Sequence, residues 1–286
     1  MTLLNLIERC SARLQEAGVS FGHGTSNAFD EAVWLALWRL GLPLDDLDGV
    51  ADRPVTAAQQ AAIEALVEQR IRTRKPAAYL TGEAWLQGLP FHVDERVIVP
   101  RSLIAEVLAE GLIDTWLGAA PARVLDLCTG NGSLAVLAAL AWPNAEVDAT
   151  DLSADALAVA QLNVERHNLA ARIRLCQGDG LAAADGRYDL ILCNPPYVNQ
   201  TSMQQLPAEY RAEPPLALAG GADGMDFIRR LLPGVAQHLQ PQGALVLEVG
   251  HERPHFEAAF PQLQPVWLES SAGDDQVLLL AAEALK

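Results

Sequence analysis

From residue 102 to the end of the chain, short apolar segments alternate with stretches of helical periodicity. Strands are predicted over 123–128, 146–150, 172–177, 188–193 and 243–249, with helices over 102–116, 132–140, 153–167 and 224–239 between them. Two final strands, near 266–269 and 276–281, would form a hairpin with a turn at 273–275. This alternation is typical of an α/β fold, a mostly parallel seven-stranded sheet with helices on both faces and one antiparallel strand.

The chain before residue 102 has a different character. Helical spacing of apolar residues up to 75 predicts three helices, the second capped by Ser26 or Asn27 and the third starting at Thr56. Residues 83–93 predict a hairpin, which 97–99 would extend. We therefore expect a small all-helical domain over 1–78, a β-hairpin bridge over 79–101 and the α/β domain over 102–286.

Charge narrows the classes of partner. With 36 acidic and 20 basic residues, the formal net charge is −16. This balance argues against direct nucleic-acid binding, which needs a basic surface, and permits a basic protein as partner. No apolar run approaches the ~18 residues that span a bilayer, and the first 17 residues lack the pattern of a secretory signal. We expect a cytoplasmic protein without a membrane partner; the sequence predicts no oligomeric state.

Two groups of metal-binding residue types lack the features of a metal site. The four cysteines have neither metal-ligand spacing nor the density of a disulfide scaffold. His251-Glu252-Arg253-Pro254-His255 has the spacing of a zinc-protease motif. That motif requires both histidines on one face of a regular helix, and Pro254 lies inside the turn. No metal site is predicted.

The sequence Asn194-Pro195-Pro196-Tyr197 directly follows the apolar strand 188–193. Two consecutive prolines fix φ and remove two backbone donors, so the chain leaves the sheet in a stiff, extended turn. The Asn194 side-chain oxygen and a carbonyl beside the prolines can then serve as paired acceptors, with the Tyr197 ring beside them. Such a corner can receive a planar –NH2 group; the alternative is a plain strand-ending turn with Tyr197 in the core.

A glycine loop follows the first strand of the same sheet. Its residues are Asp126, Leu127, Cys128, Thr129, Gly130, Asn131 and Gly132. Gly130 and Gly132 allow a tight turn and close approach of a ligand to the backbone. The loop also satisfies the dinucleotide fingerprint, which keeps an NAD-dependent oxidoreductase as an alternative. Asp126 suits a cationic ligand head such as an ammonium group, or it caps the loop.

Further carboxylates end the next two strands. Asp151, followed by Leu152, stands where a carboxylate accepts both hydroxyls of a ribose, or where it caps the next helix. Asp179, before Gly180, could receive the amine of an adenine or act as a turn residue. Taken in order with the glycine loop and Asn194, these strand ends suit S-adenosylmethionine beside a bound –NH2 group.

The order of these motifs resembles class I methyltransferases that act on planar amino groups. The helical N-terminal region, the hairpin, Val99-Pro100-Arg101 and Asn194-Pro195-Pro196-Tyr197 together resemble the HemK-like protein-(glutamine-N5) methyltransferases over nearly the whole chain. The resemblance implies methyl transfer from S-adenosylmethionine to a glutamine side-chain amide. It also implies a substrate-recognition role for the helical domain.

Two substrate classes occur in this family, peptide chain release factors and a large-subunit ribosomal protein. Several segments resemble the ribosomal-protein branch: 22–25, 30–32, 95–98, Cys128 and 206–210. We therefore expect a basic ribosomal protein as substrate, with a release factor as the alternative. Two residues depart from the sequence pattern of the family. Leu103 stands where the family has proline, and Gly180 stands where the release-factor enzymes favour a bulky residue. The same motifs are also compatible with N6-adenine or N4-cytosine methylation of nucleic acid, and with a non-enzymatic binding protein.

Overall fold

The computed structural model describes residues 1–285. These residues form two compact units. The helical unit comprises Met1–Ala84 together with Leu206–Ala212, and the sheet unit comprises Trp85–Gln205 and the chain from Glu213 onward.

The helical unit contains five helices. They are α1 (Leu3–Glu16), α2 (Ala28–Leu40), α3 (Leu47–Val50), α4 (Ala57–Thr73) and α5 (Ala77–Thr81). Asn27, not Ser26, is the N-cap of α2, and Thr56 forms a capping box with Gln59 at the start of α4. The three long helices confirm the sequence prediction. The sequence analysis missed α3 and α5, each too short for an apolar period to show.

A buried ion cluster lies inside the helical unit. The Arg70 guanidinium, fully buried on α4, donates to Glu31 at 2.8 Å and to Glu209 at 3.1 Å. Arg74 also pairs with Glu209, at 2.8 Å. The Glu31 and Glu209 carboxylates can be buried because the guanidinium groups of Arg70 and Arg74 offset their negative charges. Glu209 thereby fixes the segment Leu206–Ala212 against the helices of its own unit.

The predicted hairpin is present as β1 (Glu83–Leu86) and β2 (Leu89–His92). Gln87 and Gly88 connect them, both with positive φ, as a two-residue hairpin turn requires. The predicted extension over 97–99 is wrong. The Val97 N–H donates to the Asp94 carbonyl in a turn, and the Val99 N–H donates to the Glu213 carboxylate. These donors are therefore not available to a sheet.

The sheet unit is built on seven strands. They are β3 (Arg123–Leu127), β4 (Glu146–Asp151), β5 (Ile173–Gln177), β6 (Tyr188–Cys193), β7 (Leu239–Glu248), β8 (Val266–Ser270) and β9 (Gly273–Ala281). Their order is β5-β4-β3-β6-β7-β9-β8, and β9 alone runs in the direction opposite to the other six strands. The predicted class I methyltransferase topology, mostly parallel with seven strands, is confirmed.

Helices accompany these strands. They are α6 (Ile104–Ala109), α7 (Asp114–Leu117), α8 (Ser133–Ala141), α9 (Ala154–Arg166), α10 (Gln200–Gln205), α11 (Asp226–His238) and α12 (Arg253–Ala259). The single helix predicted over 102–116 is wrong, because Gly111 takes a positive φ and separates α6 from α7. The turn predicted at 273–275 is also misplaced. Ser271 and Ala272 make it, and β9 begins at Gly273.

Strand order brings several loops to one edge of the sheet. Leu127 at the end of β3 is level with Thr150 on β4 and Cys193 on β6. The chain proceeds outward from β3 to β4 and β5, then returns to place β6 on the other side of β3. The loops after β3 and β6 therefore diverge at the switch point, where open α/β sheets bind ligands.

No helix within residues 1–285 combines the length and the apolar character needed to cross a bilayer.

Candidate active site

A cavity of about 560 Å³ lies at the carboxyl edge of the parallel strands. Residues from the ends of β3, β4, β5 and β6 line it. The sequence-predicted site residues among its lining are Cys128, Gly130, Asp151, Leu152, Asp179, Gly180, Asn194 and Pro196. The remaining predicted residues do not line it: Asp126, Thr129, Asn131, Gly132, Pro195 and Tyr197. A volume of this size is typical of small-molecule and cofactor sites.

The glycine loop presents bare backbone to the cavity. Gly130 has φ +55°, and no atom lies within 4 Å of the position that a Cβ would take there. Cys128 also adopts a left-handed conformation, with φ +57°. Gly132 faces inward instead, since a Cβ would lie 3.1 Å from the Ala160 Cβ. The loop can therefore bend tightly over β3 and still leave space for a ligand at Gly130.

Asp126 stabilises this loop from within. Its carboxylate is fully buried and accepts hydrogen bonds from the Thr129 hydroxyl and from the Ala135 N–H. Burial raises its pKa to about 7, against the opposing effect of those two hydrogen bonds. Its other oxygen, Oδ1, is buried without a partner in the part of the chain that the structure describes. The loop-capping interpretation of Asp126 therefore matches its contacts.

Asn131 is likewise turned inward. Its side-chain oxygen accepts from the Ser133 N–H, and its carbonyl accepts from the Asn163 side chain. Thr129 is buried, with its hydroxyl on Asp126. These two residues, like Asp126, fix the course of the loop.

Asp151, at the end of β4, joins the loop to the next helix. Its carboxylate accepts from the Gly130 N–H at 2.9 Å and from the Ser153 N–H at 2.8 Å. Ser153 itself caps α9 by accepting from the Ala156 N–H. Burial raises the pKa of Asp151, and the backbone donors oppose that rise. The capping role thus falls to Ser153, and Asp151 lines the cavity with acceptor lone pairs still available.

The end of β5 meets α11. The Asp179 carboxylate pairs with Arg230 at 2.9 Å, and both side chains are largely exposed. Gly180, with φ +56°, leaves space that the Phe227 ring partly fills, at 3.8 Å from the position of a Cβ. Phe227 and Arg230 both line the cavity. The Phe227 ring on α11 therefore lies beside Gly180, the position where the release-factor enzymes favour a bulky residue.

The corner after β6, residues 194–197, contains two hydrogen-bond acceptors that receive no donor from the described part of the protein. Within residues 1–285, neither the Asn194 carboxamide nor the Pro195 carbonyl takes part in a hydrogen bond. Asn194 is half-buried and lines the cavity, as does Pro196. Pro195 is buried and does not line the cavity. The corner is thus stiff, faces the cavity through Asn194 and Pro196, and is not occupied by the protein's own donors.

A buried carboxylate, Glu248, fixes the Tyr197 side chain. The Tyr197 hydroxyl donates to Glu248 Oε1 at 2.9 Å, and the second Glu248 oxygen accepts from the Ser102 hydroxyl and the Leu103 N–H. Burial raises the pKa of Glu248 and, with that carboxylate nearby, the pKa of Tyr197 well above its ordinary value. A Cβ on Gly250 would come within 2.5 Å of the Tyr197 ring. Position 250 therefore accommodates only glycine while the Tyr197 ring keeps this place.

Sequence reasoning missed the wall opposite the glycine loop. Two segments line the cavity there, Arg96–Ile98 and Pro214–Ala217, together with Ala219. Arg96–Ile98 is irregular and Pro215–Ala217 is a single 3-10 turn, so neither segment is long enough to show an apolar period. Pro214-Pro215 was the available signal, since paired prolines fix an extended backbone as they do in the corner after β6.

The zinc-protease spacing has another explanation in the structure. Glu252, buried before α12, accepts from the Asn199 side chain at 2.6 Å and contacts His255. Glu252 thus links the start of α12 to the chain following Asn194-Pro195-Pro196-Tyr197. No cluster of three or more metal-ligating side chains occurs among the residues described, 1–285.

Comparison with known proteins decides the family. Residues 105–209 match the methyltransferase small domain, and residues 5–82 match the PrmC N-terminal domain. The ribosomal protein uL3 glutamine methyltransferase of Bordetella pertussis is 55% identical over 99% of this chain and 96% of its own. The enzyme of the same name from Neisseria meningitidis serogroup B is 47% identical over 99% of this chain and 94% of its own.

The chain belongs to the ribosomal protein uL3 glutamine methyltransferase family. It is therefore a methyltransferase, with S-adenosylmethionine as methyl donor, and the resemblance to HemK-like enzymes is confirmed. A methyltransferase from Pyrococcus furiosus of known structure shares the fold, with a TM-score of 0.50 and 21% identity over 69% of this chain and 90% of its own.

The cavity fits this methyl donor. The open space at Gly130 admits a ligand against the backbone, and Asp151 offers a carboxylate to vicinal hydroxyls. Phe227 offers a flat apolar face to a base, and the Asp179 carboxylate lies beside it. Glycine, carboxylate and aromatic surfaces in this order suit a nucleoside bearing an amino-acid tail.

Proposed function

We propose that this methyltransferase transfers the methyl group of S-adenosylmethionine to the side-chain amide nitrogen (N5) of a glutamine in ribosomal protein uL3. The curated relatives carry that activity in their names and align over almost their full lengths. The observation that supports it most is one cavity shared by Gly130 and Asp151 on one side and by Asn194 on the other.

The cofactor is assigned to the glycine-loop side. Asp151 receives the ribose hydroxyls, Asp179 the adenine amine, and Phe227 covers the base in place of a bulky residue at 180. Gly130 and Cys128 border the amino-acid tail, while Asp126, Thr129, Asn131 and Gly132 hold the loop in position. Bound S-adenosylmethionine supplies an electrophilic methyl carbon on a sulfonium centre.

The corner after β6 is assigned to the substrate amide. A carboxamide nitrogen is a weak nucleophile because its lone pair is delocalised into the carbonyl group. The Asn194 side-chain oxygen and the Pro195 carbonyl each accept one N–H of the glutamine, and their lack of other donors supports this role. Their dipoles also stabilise the positive charge that develops on nitrogen during transfer.

Tyr197 and the prolines hold that geometry. The Tyr197 ring, fixed through its hydroxyl by Glu248, supports the corner from outside the cavity lining, and Pro195-Pro196 prevents the acceptors from turning away. Orientation of two reactants can lower a barrier by about 7–11 kcal/mol. No strong base is needed before transfer, because the methylated, positively charged nitrogen loses its proton readily.

The polypeptide substrate is assigned on family and charge. The sheet unit contains 24 acidic and 11 basic residues, so most of the net negative charge lies on the unit that carries the cavity. That balance attracts a basic protein such as a ribosomal protein and repels nucleic acid. We assign substrate recognition to the helical residues 1–78, a bridging role to residues 79–101 and the methyl-transfer chemistry to residues 102–286. We also propose that the enzyme acts in the cytoplasm.

Mass spectrometry after incubation with heavy-methyl S-adenosylmethionine tests this function. Ribosomal protein uL3 should gain one labelled methyl group on a single glutamine, and a uL3 variant with that glutamine replaced by glutamate should gain none. A release factor is incubated in parallel. Methylation of the release factor alone would move the enzyme to the other substrate class, and transfer to neither protein would overturn the proposal.

A further inference from the structure

One loop forms the wall of the cavity beside the substrate corner. We call residues Glu213–Gly220 the wall loop. Pro214, Pro215, Leu216, Ala217 and Ala219 line the cavity, and no charged side chain occurs between Pro214 and Gly220. Residues 214–220 are therefore an uncharged part of the lining of a site that also carries Asp151, Asp179 and Arg96.

A buried carboxylate fixes the start of the wall loop. Glu213, 2% exposed, accepts two hydrogen bonds from Arg101, at 2.6 and 2.7 Å, and one from the Val99 N–H at 2.9 Å. Arg101 also donates to the Val99 carbonyl at 3.0 Å. The Glu213 side chain thus ties the wall loop to Val99 and Arg101. These residues directly follow the segment Arg96–Ile98, which lines the same cavity.

Backbone hydrogen bonds fix the end of the wall loop. The Val198 N–H donates to the Leu218 carbonyl at 2.8 Å, and the Gly220 N–H donates to the Val198 carbonyl at 2.9 Å. Val198 directly follows Tyr197, so the wall loop is paired with the corner that carries Asn194. Its position relative to Asn194 is therefore set by covalent and hydrogen-bonded connections at both ends.

Leu216 stands at the mouth of this cavity. Its side chain is 56% exposed, the largest exposed fraction among the eight large exposed hydrophobic residues, and it also lines the cavity. A single exposed leucine is ordinary on a protein surface. Leu216 differs because its loop is held at both ends and because it lines the same cavity as Asn194.

Resting on the proposed function, we propose that Leu216 and the wall loop are the docking surface for the glutamine-bearing segment of the basic substrate protein. The apolar wall packs against the two methylene groups of the glutamine and against the residue beside it. A charged side chain of the same length as glutamine would lose its hydration against residues 214–220, and those residues offer it no counter-ion. The acidic surface of the sheet unit attracts the rest of a basic partner, which complements this uncharged entrance.

Binding measurements without turnover test this docking surface. The dissociation constant of uL3 is measured by titration calorimetry in the presence of S-adenosylhomocysteine, for the wild type, Leu216→Ser and Leu162→Ser. Leu162 is a matched control, a leucine 44% exposed on α9 that does not line the cavity. Leu216→Ser should weaken uL3 binding about tenfold, because burial of a leucine side chain contributes at least that much free energy, and Leu162→Ser should not change it.

Two further readouts separate docking from a structural role. Leu216→Met, which keeps an apolar side chain of similar volume, should restore binding to within about threefold of the wild type. The affinity for S-adenosylhomocysteine and the thermal midpoint should be the same in all variants. Equal uL3 binding by Leu216→Ser and Leu162→Ser would overturn the inference, as would a parallel loss of cofactor affinity.

Failure of the proposed function has a different signature. If wild-type enzyme binds uL3 through Leu216 but transfers no methyl group to it, docking stands and the assignment of the reaction fails. If wild-type enzyme methylates uL3 and Leu216→Ser binds it normally, the reaction stands and the docking surface is wrong.

Discussion

The Tyr197 hydroxyl donates a hydrogen bond to Glu248, 2.9 Å away at the end of β7. Glu248 is almost fully buried and also accepts from Ser102 and Leu103. A buried carboxylate at the base of the corner thus fixes the aromatic ring that ends Asn194-Pro195-Pro196-Tyr197. This relationship separates two roles of Tyr197, one of its hydroxyl and one of its ring.

Tyr197→Phe removes the hydroxyl and keeps the ring. Because a buried carboxylate then loses a donor, the free energy of unfolding should fall by about 1–3 kcal/mol in urea denaturation. Tyr197→Leu removes the ring as well, and kcat should fall at least tenfold further while the KM for cofactor stays the same. Equal kcat values in the two variants would show that the ring is not needed to support the corner that holds the substrate amide.

Asp151→Asn tests the ribose assignment. The substitution removes a charge and places an NH2 group against one of two backbone donors, Gly130 N–H or Ser153 N–H. Affinity for S-adenosylhomocysteine should fall roughly 10- to 100-fold, as expected for hydrogen bonds to a charged group. Asp155→Asn removes a carboxylate from the same region, outside the cavity lining, and serves as the control. Similar affinities in both variants would exclude Asp151 from the cofactor site.

Phe227→Leu tests whether the Phe227 ring stacks on the adenine base of the cofactor. Loss of stacking should weaken S-adenosylhomocysteine binding roughly tenfold, since aromatic stacking of a base contributes about 1–3 kcal/mol. Phe260→Leu replaces a partly buried phenylalanine outside the cavity and should leave the affinity unchanged. The idea fails if calorimetry gives the same dissociation constant for both.

Asp126 gives the stability of the enzyme a pH dependence. Its pKa is about 7 in the folded chain and ~3.9 when unfolded, so between about pH 4 and pH 7 the folded state holds a proton that the unfolded state has released. The contribution of Asp126 to the free energy of unfolding therefore declines as pH rises through that window. At ~1.4 kcal/mol per pKa unit the full decline is roughly 4 kcal/mol.

Asp126→Asn has no proton to release and should remove most of that slope. Urea denaturation of both proteins at intervals from pH 4 to pH 8 provides the measurement. An unchanged slope in the variant would mean that other groups cause the pH dependence.

The parts of the site that the sequence predicted are those set by local patterns. Asp126 and Asp151 lie at the ends of β3 and β4, and Asp179 and Asn194 follow β5 and β6. Parallel strands bring their carboxyl ends to one edge. Spacing along the chain was therefore enough to place them at the same edge. It did not show which side chains turn inward, as Asp126 does through Thr129 and Ala135.

The parts that were missed depend on contacts between distant residues. Arg70 pairs with Glu209, 139 positions away, and that pair assigns 206–212 to the helical unit. Glu213 reaches back to Arg101 and Val99 to hold the wall loop. Phe227 fills space beside Gly180 only because α11 packs there. No local period or motif encodes such pairings, so only the folded chain reveals them.

Single-turnover methyl transfer by Asn194→Ala tests the central claim, that the corner after β6 holds the glutamine amide for reaction. The enzyme is saturated with labelled S-adenosylmethionine and mixed with uL3, and affinity for S-adenosylhomocysteine is measured separately by calorimetry. We predict a transfer rate at least 100-fold below that of the wild type, because loss of one hydrogen bond made at the reacting group costs about 3 kcal/mol, with cofactor affinity within about threefold. A near-normal transfer rate, or a rate loss matched by an equal loss of cofactor affinity, would contradict the account.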